Sequence, residues 1–279
     1  MKVLITGANG QLGREFAKQY KDKKGINLIL TDVLDLDITN VHSVYNFVNE
    51  NKPDVIINCA ALTAVDKCET EIDLAYKINT IGPKNLAAAA NQIGAEIVQV
   101  STDYVFDGSV DKSLTEFDEV NPQTVYGKTK LDAEILVKNH NPKHYIVRTA
   151  WLYGDGNNFV KTMINLSKTN KTLKVVNDQR GTPTSAVDLA RVIIKLVEDK
   201  NYGLFHCTCK GECTWYEFTK EIFRLKGIDT EVLPCTTDEF PRPAKRPEYS
   251  VLRNCMLELT TGDITRTWQE AINEYLEQN

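Results

Sequence analysis

Tyr126 and Lys130 are four positions apart in the run Tyr126-Gly-Lys-Thr-Lys130. On a helix this spacing places both side chains on one face, close to each other. A phenol usually titrates near pH ~10, and an ammonium group beside it favours the phenolate and lowers its pKa. The pair could therefore give or accept a proton at neutral pH. A surface helix with a half-buried tyrosine and a solvated lysine is the alternative interpretation.

A glycine-rich segment follows the first apolar stretch of the chain. Residues 2–6 are apolar and β-branched, which indicates a buried strand, and a helical pattern begins at Gln11. Gly7, Gly10 and Gly13 therefore lie at a strand-to-helix turn, where they would allow a tight turn, approach of a pyrophosphate and close helix packing, respectively. The helix N-terminus offers free N–H groups to phosphates. We predict dinucleotide binding here; a purely structural turn is the alternative.

An acidic residue ends the second predicted strand. Asp32 follows the apolar run 26–31, about 20 residues beyond the last glycine, where dinucleotide-binding folds place the acid that bonds a ribose 2′-hydroxyl. A carboxylate there would repel a 2′-phosphate, so the sequence favours NADH, with NADPH possible. Asp32 could instead only cap the turn. Asp37 and Ile38 follow in a short segment that could flank the adenine.

Composition limits the classes of protein to which the chain can belong. It has 279 residues, a net charge of −5 and no basic block, so we expect no nucleic-acid partner. The N-terminus enters a predicted strand at once and no run approaches ~18 apolar residues, so we expect a soluble, cytoplasmic protein without membrane contact.

The cysteines offer one weak metal-binding pattern. Seven cysteines, an odd number in a chain without a signal peptide, argue against a disulfide framework. Cys207, Cys209 and Cys213 are close in sequence, and His206 is adjacent to the first of them. A zinc site takes four such ligands. Free thiols at a strand end and in a loop are the better explanation, and we predict no metal.

Strand and helix patterns alternate along the chain, which predicts an α/β fold with a Rossmann-type, doubly wound and mostly parallel sheet. We predict a dinucleotide-binding domain over residues 1–150, to which residues 181–208 return. Residues 151–180 and 209–279 would form a smaller C-terminal substrate-binding lobe. Ligands in such folds lie outside the carboxyl ends of the strands. The residues that follow predicted strands are Ala61, Leu62, Thr63, Thr102, Asp103 and Trp151.

Thr102 adds a hydroxyl that could hydrogen-bond a substrate oxygen while Tyr126 protonates it. The glycine turn, this threonine and the Tyr-x-x-x-Lys pair together resemble the short-chain dehydrogenase/reductase superfamily. The Gly-x-x-Gly-x-x-Gly spacing resembles its extended branch, which acts on nucleotide sugars. Longer runs across essentially the whole chain are similar to the dTDP-4-dehydrorhamnose reductase family: residues 64–69, 101–108, 125–131, 148–154 and 177–184.

The resemblance implies NAD(P)H-dependent reduction of the C4 ketone of dTDP-4-dehydro-6-deoxy-L-mannose to dTDP-L-rhamnose, a step of dTDP-rhamnose biosynthesis. It implies that Thr102, Tyr126 and Lys130 are catalytic, with Lys130 lowering the Tyr126 pKa and holding the nicotinamide ribose. It implies substrate contacts at Thr102, Asp103 and Trp151. With the glycine turn included, the expected dinucleotide contacts are Gly7, Gly10, Gln11, Leu12, Asp32, Asp37, Ile38, Ala61, Leu62, Thr63, Tyr126 and Lys130.

Other expectations are less specific. Trp151 could form one wall of a sugar or nicotinamide site, or it could pack between the two lobes. Arg246 could hold the substrate diphosphate, because a guanidinium matches phosphate bidentately. Glu15 matches a position at which some relatives bind a magnesium between subunits, but the other positions do not match securely, so the expectation of no metal stands. We expect a nucleotide-sugar substrate and a monomer or homodimer.

Three alternatives remain from the sequence. The first is a nucleotide-sugar dehydratase or epimerase; Asp103 is followed by Tyr104, so half of the acidic pair of the dehydratases is absent. The second is a non-catalytic regulatory subunit resembling the methionine adenosyltransferase β subunit, against which Thr102 and Trp151 argue. The third is a related reductase of another deoxysugar or spore-coat pathway, which the sequence does not separate.

Overall fold

The computed structural model describes residues 1–21 and 23–278 of the chain. The strands are β1 (Lys2–Thr6), β2 (Asn27–Thr31), β3 (Val55–Asn58), β4 (Glu96–Thr102), β5 (His144–Thr149), β6 (Leu152–Tyr153), β7 (Thr172–Val176), β8 (Arg180–Gly181), β9 (Thr184–Ser185), β10 (Gly203–His206), β11 (Cys213–Thr214) and β12 (Glu231–Cys235).

The helices are α1 (Gln11–Lys21), α2 (Val41–Asn51), α3 (Val65–Thr70), α4 (Ile72–Tyr76), α5 (Gly82–Gln92), α6 (Val125–His140), α7 (Phe159–Ser167), α8 (Ala186–Asp199), α9 (Trp215–Lys226), α10 (Cys255–Leu259) and α11 (Trp268–Gln278). A π-helical segment, Lys77–Ile81, joins α4 to α5, and short 3₁₀ turns occupy Asp103–Val105 and Thr237–Glu239. None of the helices in the described residues combines the length and the apolar character needed to cross a membrane.

Six parallel strands form the central sheet in the order β10-β5-β4-β3-β1-β2. Both faces of the sheet are covered: Val3 and Ile5 of β1 pack with α1 and α8, whereas Leu4 packs with α2 and α5. Between β1 and β3 the order of the strands reverses: β2 is added on one side of β1, and β3, β4, β5 and β10 are added on the other. Ligands bind at such a switch point. The predicted doubly wound, mostly parallel α/β sheet is confirmed.

A second group of helices packs beside the sheet. Helices α7, α9 and α11 enclose a separate apolar cluster that includes Tyr153, Phe218 and Ile272, and β7 pairs with β12 beside it. Helix α8 and strand β10 lie with the main sheet, since α8 packs on α1 and β10 pairs with β5. The boundaries of the two predicted domains remain a prediction.

Some elements differ from the sequence patterns. Strand β4 continues through Thr102 rather than ending at Val100, because Ser101 and Thr102 pair with Arg148 and Thr149 of β5. Strands β6, β8, β9 and β11 have two residues each. A two-residue strand is too short to show the alternation by which strands are recognised in a sequence.

Candidate active site

The glycine turn between β1 and α1 leaves no room for a side chain at two of its three glycines. Gly7 has a φ of +64°, and a Cβ there would lie 2.7 Å from the backbone nitrogen of Ala60. A Cβ on Gly13 would lie 2.4 Å from the Gly7 carbonyl oxygen. At Gly10 the nearest atom to a Cβ would be the Gly7 carbonyl oxygen at 3.3 Å, a tight contact that a shift of a few tenths of an ångström relieves. The turn therefore fits a pyrophosphate at Gly10 and at the first N–H groups of α1.

Substitution of Gly10 and of Gly13 by alanine should distinguish an effect on NADPH binding from an effect on the packing of the turn. We expect Gly10→Ala to weaken NADPH binding about tenfold, or ~1.4 kcal/mol, with little change in the urea unfolding midpoint, since the methyl occupies ligand space. Gly13→Ala should also lower the free energy of unfolding by about 1–3 kcal/mol, because its methyl meets the backbone of the turn. Fluorescence titration and urea unfolding measure the two effects. Wild-type NADPH affinity in Gly10→Ala would contradict this placement of the pyrophosphate.

Asp32 lies on the other side of the turn. Its Oδ2 accepts a hydrogen bond from the Asn9 N–H at 3.1 Å, which ties the end of β2 to the glycine turn. Asp35, which the sequence reasoning missed, accepts from the Asp32 N–H at 2.9 Å and adds a second carboxylate. The only signal for Asp35 was its short spacing from Asp32. The segment 26–40 contains no lysine or arginine, so it brings no positive charge to this end of the site.

Two predicted dinucleotide residues have their side chains in the core. Leu12 and Ile38 are each 5 % exposed, and the Cδ1 of Ile38 would lie 2.5 Å from a Cβ at Gly82. Any contact that these two residues make with a dinucleotide would therefore come from the main chain. Asp37 is exposed, and its Oδ1 accepts hydrogen bonds from the N–H and the hydroxyl of Thr39.

Buried amide side chains hold the loop that follows β3. The Thr6 hydroxyl donates to Asn58 Oδ1 at 2.7 Å, and Asn58 Nδ2 donates to Gln99 Oε1 at 2.7 Å, which links β1, β3 and β4. Asn79 accepts from the Leu62 N–H at 2.8 Å and donates to the Leu62 carbonyl at 3.1 Å. These bonds hold the loop that contains the predicted contact residues Ala61, Leu62 and Thr63, and Ala60 at the start of that loop lies against Gly7.

Asn79 also lies where the structure departs from a predicted helix. The sequence pattern predicts one helix over residues 73–92, but the π-helical segment Lys77–Ile81 interrupts it. Such segments occur often at functional sites. The buried Asn79 amide bonds a loop rather than the surrounding helix, and helical periodicity gives no signal for that role.

Thr102 and Tyr126 meet at the carboxyl end of β4. Tyr126 lies in the first turn of α6, which Thr124 caps by accepting a hydrogen bond from the Gly127 N–H at 3.0 Å. The Thr102 hydroxyl lies close enough to the Tyr126 phenol to lower its pKa. The Tyr126 ring packs edge-on against Tyr104, with 5.5 Å between ring centroids. Two buried hydroxyls on different elements can thus converge on one substrate oxygen.

Lys130 does not act on the Tyr126 phenol as predicted. Its Nζ donates to the Val100 carbonyl oxygen at 2.6 Å. Burial raises the pKa of Tyr126 well above its usual value, the Asp103 carboxylate raises it further, and the Thr102 hydroxyl opposes them only in part. The predicted lowering of this pKa by Lys130 is wrong in this arrangement, because desolvation of the phenolate dominates. The phenol therefore keeps its proton at neutral pH, which is the state a proton donor needs.

A buried ion pair lies one helical turn beyond Lys130. Glu134 accepts from Arg148 Nε at 2.9 Å and Nη2 at 2.7 Å, and from the Ser101 hydroxyl at 2.5 Å. Burial lowers the pKa of Lys130 to about 8, and the Glu134 carboxylate opposes that shift. The sequence reasoning missed this pair, although an arginine inside the predicted strand 145–149 was a signal for a buried partner.

Trp151 lies at the junction of the sheet and the second group of helices. Its φ of +47° is uncommon for a bulky residue, and its indole stacks on Trp215 with ring centroids 3.4 Å apart. A Cβ at Gly181 would lie 2.6 Å from the same indole, so only glycine fits there. Trp151 therefore packs between the two parts of the chain and also faces the cleft described next. Trp215 was not predicted.

A cleft of about 1090 Å³ opens between the sheet edge and the second group of helices. Asp103, Tyr104, Trp151, Trp215 and Arg246 line it. The cleft is large enough for a nucleotide sugar, which agrees with the usual size of ligand sites. It combines aromatic walls with charged groups, and it reaches Asp103 and Tyr104, which contact Thr102 and Tyr126 respectively.

Charged groups in the cleft are partly paired. Arg246 Nη2 bonds Asp66 Oδ2 at 2.9 Å, and Asp66 Oδ1 accepts from the Ala244 N–H at 3.2 Å. These bonds tie the segment 240–247 to the start of α3. Arg246 thus lies in the cleft as expected for a group that holds a diphosphate, but it would have to share its guanidinium with Asp66.

The other candidate residues from the sequence are buried or make local hydrogen bonds. Cys207, Cys209 and Cys213 are buried free thiols, and burial raises the pKa of each. The Nδ1 of His206 lies 3.2 Å from the Leu114 carbonyl oxygen. Glu15 accepts from the Gln19 amide at 2.7 Å. Within residues 1–21 and 23–278, no three acidic, cysteine or histidine side chains group as metal ligands would. The absence of a metal stays a prediction.

The comparisons with known proteins cover the whole chain. The model of the family described as the RmlD substrate binding domain matches residues 1–279. A crystal structure of a dTDP-4-dehydrorhamnose reductase from Clostridium acetobutylicum is 72 % identical, covers 100 % of this chain and 99 % of its own, and has a TM-score of 0.99. That of the Bacillus anthracis enzyme in complex with NADP is 42 % identical, with the same coverage and a TM-score of 0.97. The spore coat polysaccharide biosynthesis protein SpsK of Bacillus subtilis is 42 % identical over 99 % of this chain and 97 % of its own.

Proposed function

The chain belongs to the RmlD substrate binding domain family, and we propose on that premise that it reduces the C4 ketone of dTDP-4-dehydro-6-deoxy-L-mannose to dTDP-L-rhamnose. The single observation that carries the proposal is that Thr102 and Tyr126 come together at the carboxyl end of β4, where they contact Asp103 and Tyr104 of the cleft. The glycine turn follows β1 at the same edge of the parallel sheet. Two dTDP-4-dehydrorhamnose reductases are 72 % and 42 % identical to this chain over its full length, and this similarity supports the same reaction.

Each residue of the trio has a defined task in the proposed reaction. A bound nicotinamide supplies the hydride. Tyr126, held protonated by burial, gives its proton to the oxygen that becomes the alcohol. Thr102 donates a hydrogen bond to the same oxygen and stabilises the charge that develops on it. Lys130, whose ammonium is already held at the Val100 carbonyl, would hold the nicotinamide ribose.

The residues of the turn fit a dinucleotide. Gly7 and Gly13 let the backbone of the turn pack closely where any Cβ would clash, and the α1 N-terminus offers N–H groups to the phosphates. The carboxylates at the end of β2, with no lysine or arginine in the segment 26–40, support the proposed preference for NADH. The Bacillus anthracis relative was solved with NADP, so NADPH is also proposed as a substrate, and the ratio of the two is to be measured.

Removal of the Asp32 charge should change the ratio of kcat/KM with NADPH to kcat/KM with NADH. In Asp32→Asn we expect kcat/KM with NADPH to rise about tenfold relative to that with NADH, equal to ~1.4 kcal/mol, because the repulsion of a 2′-phosphate is removed. Steady-state kinetics with both coenzymes measure the ratio. Asp199→Asn, at an acid of an exposed ion pair with Lys195 on α8, is the matched control and should leave the ratio nearly as it is. An unchanged ratio in Asp32→Asn would contradict the role of Asp32.

The cleft supports a nucleotide-sugar substrate. Trp151 and Trp215 present aromatic surface on one wall, and Arg246 presents a guanidinium suited to a diphosphate. We propose that Asp103 and Trp151 contact the sugar nucleotide and that residues 151–180 and 209–279 form the substrate lobe. We also propose that the protein works in the cytoplasm as a monomer or homodimer.

The test is a coenzyme-consumption assay with purified protein. NADH or NADPH is incubated with a panel of 4-keto-6-deoxy sugar nucleotides, and the loss of absorbance of the reduced coenzyme is followed. The proposal expects the fastest loss with dTDP-4-dehydro-6-deoxy-L-mannose. Faster turnover of another sugar nucleotide would assign the chain to another deoxysugar pathway, and no turnover of any would overturn the enzymatic proposal.

A further inference from the structure

The Thr102 hydroxyl has one proton, but both Asp103 and the substrate oxygen of the proposed reaction need it as a hydrogen-bond donor. A threonine hydroxyl donates one hydrogen bond and accepts two. Here Thr102 Oγ1 donates to Asp103 Oδ1 at 2.9 Å and accepts from the Tyr104 N–H at 3.2 Å. While Thr102 donates to an ionised Asp103, it has no proton left for a substrate oxygen. The task given to Thr102 in the proposed reaction therefore requires that this bond be reversed.

Asp103 lies in surroundings that allow the reversal. It is 3 % exposed and lines the cleft, and within residues 1–21 and 23–278 its Oδ2 has no hydrogen-bond partner. A buried carboxylate oxygen without a partner is costly, whereas a protonated carboxyl can use its O–H as a donor. Burial raises the pKa of Asp103 to about 6, and the nearby Ser250 and Thr102 hydroxyls and the backbone lower it only in part.

The groups that face Asp103 come from three directions. Tyr104 follows it in the 3₁₀ turn, the Tyr126 phenol faces it from α6, and the Ser250 hydroxyl faces it from the C-terminal segment. The charges nearest in the cleft, Arg246 and Asp66, are paired with each other. Both tyrosines are neutral at the pH of an assay because burial raises their pKa values.

We propose that Asp103 works in its protonated form as a positioning residue, whose carboxyl O–H donates to Thr102 Oγ1 and so frees the Thr102 proton for the substrate oxygen. This inference rests on the proposed reductase function. In the protonated state both lone pairs of Thr102 Oγ1 are used, one by the Tyr104 N–H and one by Asp103. The hydroxyl proton then points to the reacting ketone together with that of Tyr126. Asp103 transfers no atom to the substrate, so the hydride still comes from the coenzyme and the proton from Tyr126.

The pH dependence of kcat/KM tests the proposal. This parameter reports groups of the free enzyme, and the protonated fraction of Asp103 falls as the pH rises through its pKa. We therefore expect the kcat/KM of the wild-type enzyme to fall with a slope of about one log unit per pH unit above pH 6. The profile is measured from pH 5 to 7.5 with the coenzyme that the enzyme prefers, below the pKa of about 8 to which burial lowers Lys130.

Three variants separate a positioning role from a structural one. In Asp103→Asn the amide can donate to Thr102 at every pH, so the alkaline decline should disappear. In Thr102→Val the group through which Asp103 acts is gone, so the residual activity should also lack the decline. Thr102→Ser keeps the hydroxyl and should restore it. Urea unfolding of each variant shows whether the comparison is between folded proteins.

The outcomes are distinct. A flat wild-type profile, or a decline that persists in Asp103→Asn, would overturn the proposal. A decline that persists in Thr102→Val would also overturn it, because the protonation of Asp103 would then affect the rate by a route other than Thr102. Absence of turnover in the wild-type enzyme at all pH values would instead be a failure of the proposed reductase function.

Discussion

Tyr126→Phe is expected to lower kcat about 10²–10⁴-fold, the usual contribution of a general acid. The substitution removes only the hydroxyl, so the ring should keep its edge-on contact with Tyr104. The oxygen that becomes the alcohol would then lack its proton donor, and Thr102 alone would contact it. Coenzyme binding should remain close to that of the wild-type enzyme, since the glycine turn is untouched. Stopped-flow single turnovers measure the chemical step itself.

A second tyrosine provides the matched control. Tyr20 is 1 % exposed in the core, and its hydroxyl has no hydrogen-bond partner within the described residues. Tyr20→Phe therefore makes the same chemical change at a buried site that has no part in the proposed reaction, and it should leave kcat near the wild-type value. Turnover by Tyr126→Phe within a factor of a few of wild type would reject Tyr126 as the proton donor.

Glu134→Gln is expected to destabilise the fold by about 3–5 kcal/mol, the range measured when one partner of a buried ion pair is removed. Glu134 and Arg148 are 6 % and 4 % exposed, and the guanidinium donates to both carboxylate oxygens. Arg148 Nη1 already has no partner within the described chain. Loss of the Glu134 charge would leave a buried cation uncompensated between β4, β5 and α6. Urea unfolding followed by circular dichroism measures the free energy of unfolding.

The control for this substitution is an exposed pair. Lys195 and Asp199 form an ion pair on α8 in which each side chain is 38 % exposed. Asp199→Asn makes the same carboxylate-to-amide change and should cost at most ~0.5 kcal/mol, because exposed pairs are screened by solvent. Equal destabilisation by the two substitutions would contradict the account of the buried pair.

The sequence predicted the parts of the fold that depend on local pattern. The alternation of buried strands with amphipathic helices predicted the parallel sheet, and the spacing of Gly7, Gly10 and Gly13 placed the turn between β1 and α1. Thr102 and Tyr126 could be grouped from the sequence because Thr102 follows a predicted strand, Tyr126 lies in the next predicted helix, and both belong to the pattern of the family. The runs shared with a known family predicted the reaction.

The rest depends on contacts that no local pattern encodes. Asn79 holds a loop from a π-helical segment, and Trp215 stacks on Trp151 from a helix that is distant in sequence. The pKa of Tyr126 was predicted in the wrong direction, because the spacing of Lys130 suggested a charge effect while the burial of the phenol was not visible in the sequence. Burial is a property of the whole fold, and here it outweighs one neighbouring ammonium.

Transfer of a labelled hydride tests the central claim most directly. NADPH or NADH that carries deuterium at both hydrogen positions of the nicotinamide C4 is incubated with the protein and dTDP-4-dehydro-6-deoxy-L-mannose, and the product is examined by proton NMR. The account predicts dTDP-L-rhamnose that carries deuterium at C4 of the sugar, formed in step with the loss of reduced coenzyme. A product with protium at C4, or coenzyme that is not consumed while the sugar changes, would contradict it.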